Sequence, residues 1–125
     1  HSFRVALMAW LLAGEGLDRD RVLKLALLHD LAEAATGDLT PYAPDDVPDG
    51  DPEDRRAFLD RRHLPHPDRA AAKRRSESAA FAHMTERLPL PMREELSALW
   101  EELAARRTPE ARFVKQVDRL ETYLQ

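Results

Sequence analysis

The sequence contains no cysteine. That absence excludes a disulfide scaffold, a thiol nucleophile and any cysteine–zinc site, and it fits a cytoplasmic protein. Glycine is scarce at four residues, while alanine, leucine, arginine and glutamate dominate, a composition that favours helices. No apolar run approaches the roughly 20 residues that a membrane span needs. The first segment carries Arg4 and lacks the basic, apolar, small-residue order of a signal peptide. A formal charge of -4 gives no general attraction for a nucleic-acid backbone, although a local basic pocket for a small phosphate is compatible with it. The expected partner is a small molecule, with neither a nucleic-acid polymer nor a membrane.

What is there suits one helical domain over 1–125. The chain starts at His1 rather than methionine, so a clipped N-terminus is expected. Phe3, Val5, Ala6, Leu7, Met8, Ala9, Trp10, Leu11 and Leu12 read as a helix buried on most sides. Gly14 and Gly16 end it, and Asp18 or Asp20 caps the next. The second helix carries Val22, Leu23, Leu25, Ala26, Leu27 and Leu28 straight into His29-Asp30. A helical turn follows to Ala35, broken by Thr36-Gly37-Asp38 and Pro41. Residues 41–68 hold six prolines and many aspartates, which predicts a surface loop over about 43–68 with one helical turn at Pro52–Leu59.

A third long helix is expected over about 69–88, with Glu77, Phe81, Met84 and Leu88 on one stripe. A fourth covers about 91–106, with Leu96, Leu99, Trp100 and Leu103 on one face. Thr108-Pro109-Glu110 supplies a cap, a first-turn proline and an acid at the positive end of the last helix. Phe113, Val117, Leu120 and Leu124 are its expected buried stripe. There is no strand alternation and no internal repeat.

The pair His29-Asp30 carries the chemistry. Such a pair is most often a helix-terminal histidine beside a solvated aspartate. Here it ends an apolar helix, where a carboxylate is costly unless a cation offsets its charge. His1 opens the first apolar helix, and Asp118 sits one residue past core Val117. Two histidines and two aspartates on three helices make an incomplete octahedron, whose mixed nitrogen and oxygen donors suit Mn, Fe, Co, Mg or Zn. Glu33 follows Asp30 by three residues and His29 by four, so a helix would set it beside the pair. A carboxylate there can orient a water and take its proton; alone, it would read equally well as a surface glutamate. Lys115, one turn before Asp118, is a candidate for a phosphate contact, though a solvated lysine is the commoner reading, and Glu77 is a candidate for the substrate-binding group, with exposure at the edge of its stripe the equal alternative. His63 and His66 read as loop residues and His83 as helix surface.

The order His, His-Asp, distant Asp resembles the HD-domain superfamily of metal-dependent phosphohydrolases. The likeness is nearest to its 5'-deoxynucleotidase family, through His1-Ser2, Leu27-Leu28-His29-Asp30-Leu31-Ala32-Glu33-Ala34, Gly37-Asp38-Leu39-Thr40-Pro41, Leu99-Trp100-Glu101-Glu102, and Glu110-Ala111-Arg112-Phe113-Val114-Lys115-Gln116-Val117-Asp118-Arg119-Leu120-Glu121. The resemblance implies an all-α bundle of about five to six helices around a buried site for one divalent metal. It implies His1, His29, Asp30 and Asp118 as ligands, Glu33 as the catalytic carboxylate, and Asp38 as an acid of the catalytic and substrate-binding group. The implied activity is hydrolysis of deoxyribonucleoside 5'-monophosphates by a homodimer. The Arg-Trp type segment that family members carry upstream of the first histidine is absent from the sequence, and the 43–68 loop is longer than expected. Guanosine-tetraphosphate hydrolases resemble His-Asp-x-x-Glu-Asp, against which Ala34 counts. Cyclic-nucleotide phosphodiesterases would need more ligands. A catalytically silent, metal-stapled binding module would need neither Glu33 nor Asp38.

Overall fold

The computed structural model describes residues 1–37, 46–61 and 67–124. Asp38, Leu39, Thr40 and Pro41 of the motif that begins at Gly37, and His63 and His66, fall outside them. The described residues form helices and no strand: α1 (Ser2–Leu12), α2 (Arg19–Leu28), α3 (Glu33–Thr36), α4 (Pro52–Leu59), α5 (Pro67–Thr85), α6 (Leu90–Ala105) and α7 (Pro109–Tyr123). Five are long. The other two, α3 and α4, fall where helical turns are predicted, and α4 extends to eight residues behind an Asp51 cap and a first-turn proline. None of these helices is long and apolar enough to cross a membrane.

Local chemistry sets the boundaries. Asp18, rather than Asp20, caps α2 by accepting from the Arg21 amide. Thr108 caps α7 by accepting from the Ala111 amide at 3.2 Å. Gly37 ends α3 at φ 74°, a conformation that glycine adopts without a side-chain penalty. The α5 helix begins at Pro67, slightly before the expected start.

The core lies where α1, α2 and α7 meet, with α6 closing it over α2. Val5, Val22, Leu25 and Val114 are its largest fully enclosed side chains. The first helix departs from expectation. It buries only Val5, Ala6 and Ala9, and leaves Phe3, Leu7, Trp10, Leu11 and Leu12 exposed. Two alanines at the contact allow α2 and α7 to approach closely, so one narrow face satisfies the core. The α7 stripe also differs. Ala111, Val114, Val117, Asp118 and Glu121 are buried, whereas Leu120 and Leu124 are exposed. On α5, Thr85 rather than Met84 follows Phe81 inward, and its hydroxyl donates to the Phe81 carbonyl at 2.9 Å. The α6 face matches its prediction, with Leu99 buried, Leu96 and Leu103 packed on the core, and Trp100 stacked on Phe81 at a centroid distance of 4.7 Å.

One buried acid ties three elements together. Glu102 on α6 accepts from the Arg21 guanidinium of α2 and from the Thr108 hydroxyl, which also caps α7. The Arg21 hydrogen bond holds the Glu102 carboxyl below the usual carboxylate range; burial opposes this and Thr108 assists it. A depressed folded-state value means that the stabilisation is complete above the unfolded-state value and is lost as pH falls through the folded one. Glu102→Gln should therefore lower stability at pH 7 by about 1–2 kcal/mol, less than a fully enclosed charged pair because Arg21 is half exposed. It should also flatten the loss of stability on acidification. Urea unfolding of both proteins at pH 7 and pH 3 measures this, and equal stability at pH 7 would remove Glu102 as a tie.

Candidate metal centre

His29 closes α2 at a position where backbone carbonyls of the last turn lack amide partners. Its Nδ1 lies 2.6 Å from the Ala26 carbonyl oxygen. A carbonyl only accepts, so Nδ1 carries the proton and the ring is fixed in direction. The other nitrogen, Nε2, is buried and has no hydrogen-bond partner among the described residues. It lies 3.0 Å from Asp30 Oδ2 and 3.8 Å from Asp118 Oδ1; the nearer carboxylate makes an ion contact but stands off the direction an N–H would need. Burial works against a charged His29, yet Asp30, the Ala26 carbonyl and Asp118 together raise its pKa above the ordinary histidine value.

His1 arrives from the N-terminal end of α1. Its Nε2 lies 2.9 Å from Asp118 Oδ1 and 3.5 Å from Asp30 Oδ2, and its ring centroid is 5.6 Å from that of His29. Asp118 arrives from the buried face of α7. Donor atoms of His1, His29 and Asp118 lie within 4.8 Å of one another, a spacing that can hold a metal ion. Asp30 stands beside this trio and contacts both imidazoles. The Ser2 hydroxyl donates to Asp30 Oδ2 at 3.0 Å. Burial would raise the Asp30 pKa, but His29, Ser2 and Lys115 hold it below its usual value.

The donor set fits a divalent cation. A buried imidazole nitrogen with no hydrogen-bond partner among the described residues faces two carboxylates, and a second imidazole nitrogen meets the same oxygens. Such convergence of nitrogen and oxygen donors is the chemistry of a transition-metal or magnesium site.

Two residues beyond the sequence reading complete the arrangement. Glu121, one turn after Asp118 and 2% exposed, accepts from His1 Nδ1 and pairs with Arg4. This turns His1 Nε2 toward the aspartates, as carboxylates behind metal-binding histidines commonly do. Its signal was present, since Glu121 follows Asp118 at helical spacing, but a search for apolar stripes passes over it. The second is Lys73 on α5. Its ammonium lies 3.1 Å from Glu33 Oε1 and 3.5 Å from Glu77 Oε1. No local pattern announces that contact, because 40 positions separate Lys73 from Glu33.

Beside the centre opens a cleft of about 500 Å³. His29, Glu33 and Lys115 line its metal side; Lys73 and Glu77 line the α5 wall, and Trp100 with Leu103 gives an apolar wall. Arg69, Arg74 and Arg106 bring further positive charge. Glu33, Glu77 and Lys115 thus all reach the cleft, and Lys115 is paired with Asp118 Oδ2. His83 is exposed and paired with Glu86, away from the site, as its helix-surface reading requires.

Comparison with known proteins agrees with this geometry. The family model described as HD domain matches residues 1–125. The 5'-deoxynucleotidase HDDC2 of Homo sapiens is 35% identical over 125 residues, covering 100% of this chain and 50% of its own. The HDDC2 protein of Bos taurus is 36% identical over 125 residues, again with 100% and 50% covered. The 5'-deoxynucleotidase hdd1 of Schizosaccharomyces pombe is 30% identical over 129 residues, with 100% and 54% covered. The chain spans about half the length of the curated relatives it matches. With the family model matched along its whole length and a histidine–aspartate centre at the meeting of α1, α2 and α7, the chain belongs to the HD-domain family.

Proposed function

We propose that this chain carries the active centre of a metal-dependent phosphohydrolase acting on deoxyribonucleoside 5'-monophosphates. The observation that carries the reading is His29 Nε2, buried, without a hydrogen-bond partner among the described residues, and facing two carboxylates at the edge of a cationic cleft. His1, His29, Asp30 and Asp118 would hold one divalent ion, of Mn, Co, Mg, Fe or Zn. When bound, that ion supplies Lewis-acid charge that offsets a phosphate oxygen and makes water more acidic. Glu33 accepts the proton of the attacking water. Lys115 faces the phosphate, while Glu77 and, outside the described residues, Asp38 belong to the substrate-contacting group. Trp100 and Leu103 offer an apolar wall for the nucleoside. The deoxyribose preference rests on the names of the relatives, which are 5'-deoxynucleotidases.

The homodimer and the cytoplasmic location are part of the same proposal. The lack of cysteine supports the location. The exposed apolar side chains Phe3, Leu7, Trp10 and Leu11 of α1 support a second copy as the partner. Sedimentation velocity tests the dimer, and a monomer throughout the micromolar range would overturn it.

Phosphate release from a panel of deoxyribo- and ribonucleoside monophosphates, with each metal in turn, tests the activity. No release from a metal-loaded protein would refute it. Asp118→Ala should remove metal and turnover together, because it deletes a charged donor; metal content equal to the parent's would withdraw Asp118 from the ligand set. Glu121→Gln should weaken metal binding by about 10–100-fold with the fold intact, the usual effect of losing a carboxylate behind a liganding histidine. Competition with a chromophoric chelator measures it, and parent-like affinity would leave Glu121 a packing residue. Glu33→Gln should retain the metal and lower turnover by about 10²–10⁴-fold. Metal loss in that variant would instead make Glu33 a fifth ligand.

A further inference from the structure

Glu33 sits on α3, a helix of four residues with none of its side chains buried. One isolated turn has little helical stability of its own, and this one packs against α5 with side chains that are only partly covered or exposed. The carboxylate that must stand beside the reacting water is therefore fixed by something outside α3. The structure offers one polar contact to it from another helix among the described residues. Lys73 of α5 reaches across and places its ammonium 3.1 Å from Glu33 Oε1. The same ammonium lies 3.5 Å from Glu77 Oε1, one turn along α5. Lys73 is about one-third exposed and Glu77 about one-sixth, so the bridge is partly shielded from water.

We infer that Lys73 is the positioning residue of the site: it bridges Glu33 and Glu77 and holds the Glu33 carboxylate in its working pose against the metal side of the cleft. This rests on the phosphohydrolase reading for the role of Glu33, though not for the contact itself. Glu77 then acts as the anchor of Lys73. Burial of the ammonium favours its neutral form, but Glu33 and Glu77 raise its pKa above the ordinary lysine value, so the bridge is charged at neutral pH.

The rival role for Lys73 is a direct contact with the phosphate, as expected of a cation in this cleft. The two make opposite predictions. A positioning residue acts through Glu33, so its removal should lower kcat and leave KM nearly alone. It should also have no further effect once Glu33 cannot function. A phosphate-binding lysine should raise KM, and its loss should add to that of Glu33.

The test uses the metal-loaded parent, Lys73→Met, Glu33→Gln and the double variant, with deoxyadenosine 5'-monophosphate as substrate and metal content measured on each sample. Lys73→Met should lower kcat by about 10–100-fold, the scale of a misplaced catalytic group. Its KM should stay within about threefold and its metal content at the parent level. The double variant should be no slower than Glu33→Gln alone, and Lys73→Arg should recover most of the lost kcat. Additive losses, or an effect confined to KM, would overturn the inference. A second arm does not depend on turnover: the Lys73 ammonium signal in NMR should be protected from solvent exchange in the parent and lose that protection in Glu33→Gln. If the parent hydrolyses no nucleotide, the phosphohydrolase reading falls by itself. In that event the ammonium signal alone decides the bridge, and an unprotected signal in the parent refutes it.

Discussion

The Nδ1 proton of His29 is committed to the Ala26 carbonyl, and the organisation of the site follows from where that leaves Nε2. The helix end creates an unsatisfied acceptor, and the imidazole of the capping residue satisfies it. The ring then has one orientation, with its second nitrogen buried against Asp30 and Asp118. Around that nitrogen, α1 contributes His1 and α7 contributes Asp118 and Glu121. Three carboxylates in so small a volume would repel one another without compensating charge. Arg4 compensates Glu121 and Lys115 compensates Asp118 from outside. Among the described residues, the two imidazoles and the Ser2 hydroxyl also face the aspartates. A divalent cation matches both the donor types and the sign of the charge that the centre needs.

Much of this was legible in the sequence because the decisive signals are local. Thr108-Pro109-Glu110 announces the start of α7 by capping chemistry, and Gly37 marks the end of α3 by its backbone freedom. His29-Asp30 at the end of an apolar run marks the centre. The approach of His1 and Asp118 required the motif order, because nothing in the local sequence brings residues separated by 117 positions together. The errors have a common cause. Hydrophobic periodicity assigns every large apolar residue to a buried stripe. On α7, however, the inward face carries Asp118 and Glu121, which meet His1, and Leu120 and Leu124 turn outward as a consequence. On α1, nearly continuous apolar sequence gave no way to tell a contact face from its reverse. The small residues Ala6 and Ala9 mark the contact, not the large ones.

The elements of the site are held by two different kinds of force. The proposed metal donors stand on or at the ends of α1, α2 and α7, the helices that share Val5, Val22, Leu25 and Val114 as their common core. Their separation is set by close packing, which resists displacement because any movement opens a void or forces a clash. Glu33 lies outside that packing. Buried Ala32 anchors the chain immediately before it, but its own turn contributes no buried side chain. The contact that directs its carboxylate is electrostatic and comes from α5. Ion pairs of this partly exposed kind are weak stabilisers of a fold. Their directional value is separate from their contribution to stability, since a partly exposed carboxylate takes its orientation from the charge beside it. The Lys115–Asp118 pair is of the same kind and stands on the metal side of the cleft, where an anion would compete with Asp118 for the ammonium. Packing thus fixes the proposed donors, while the pairing of charges directs the Glu33 carboxylate.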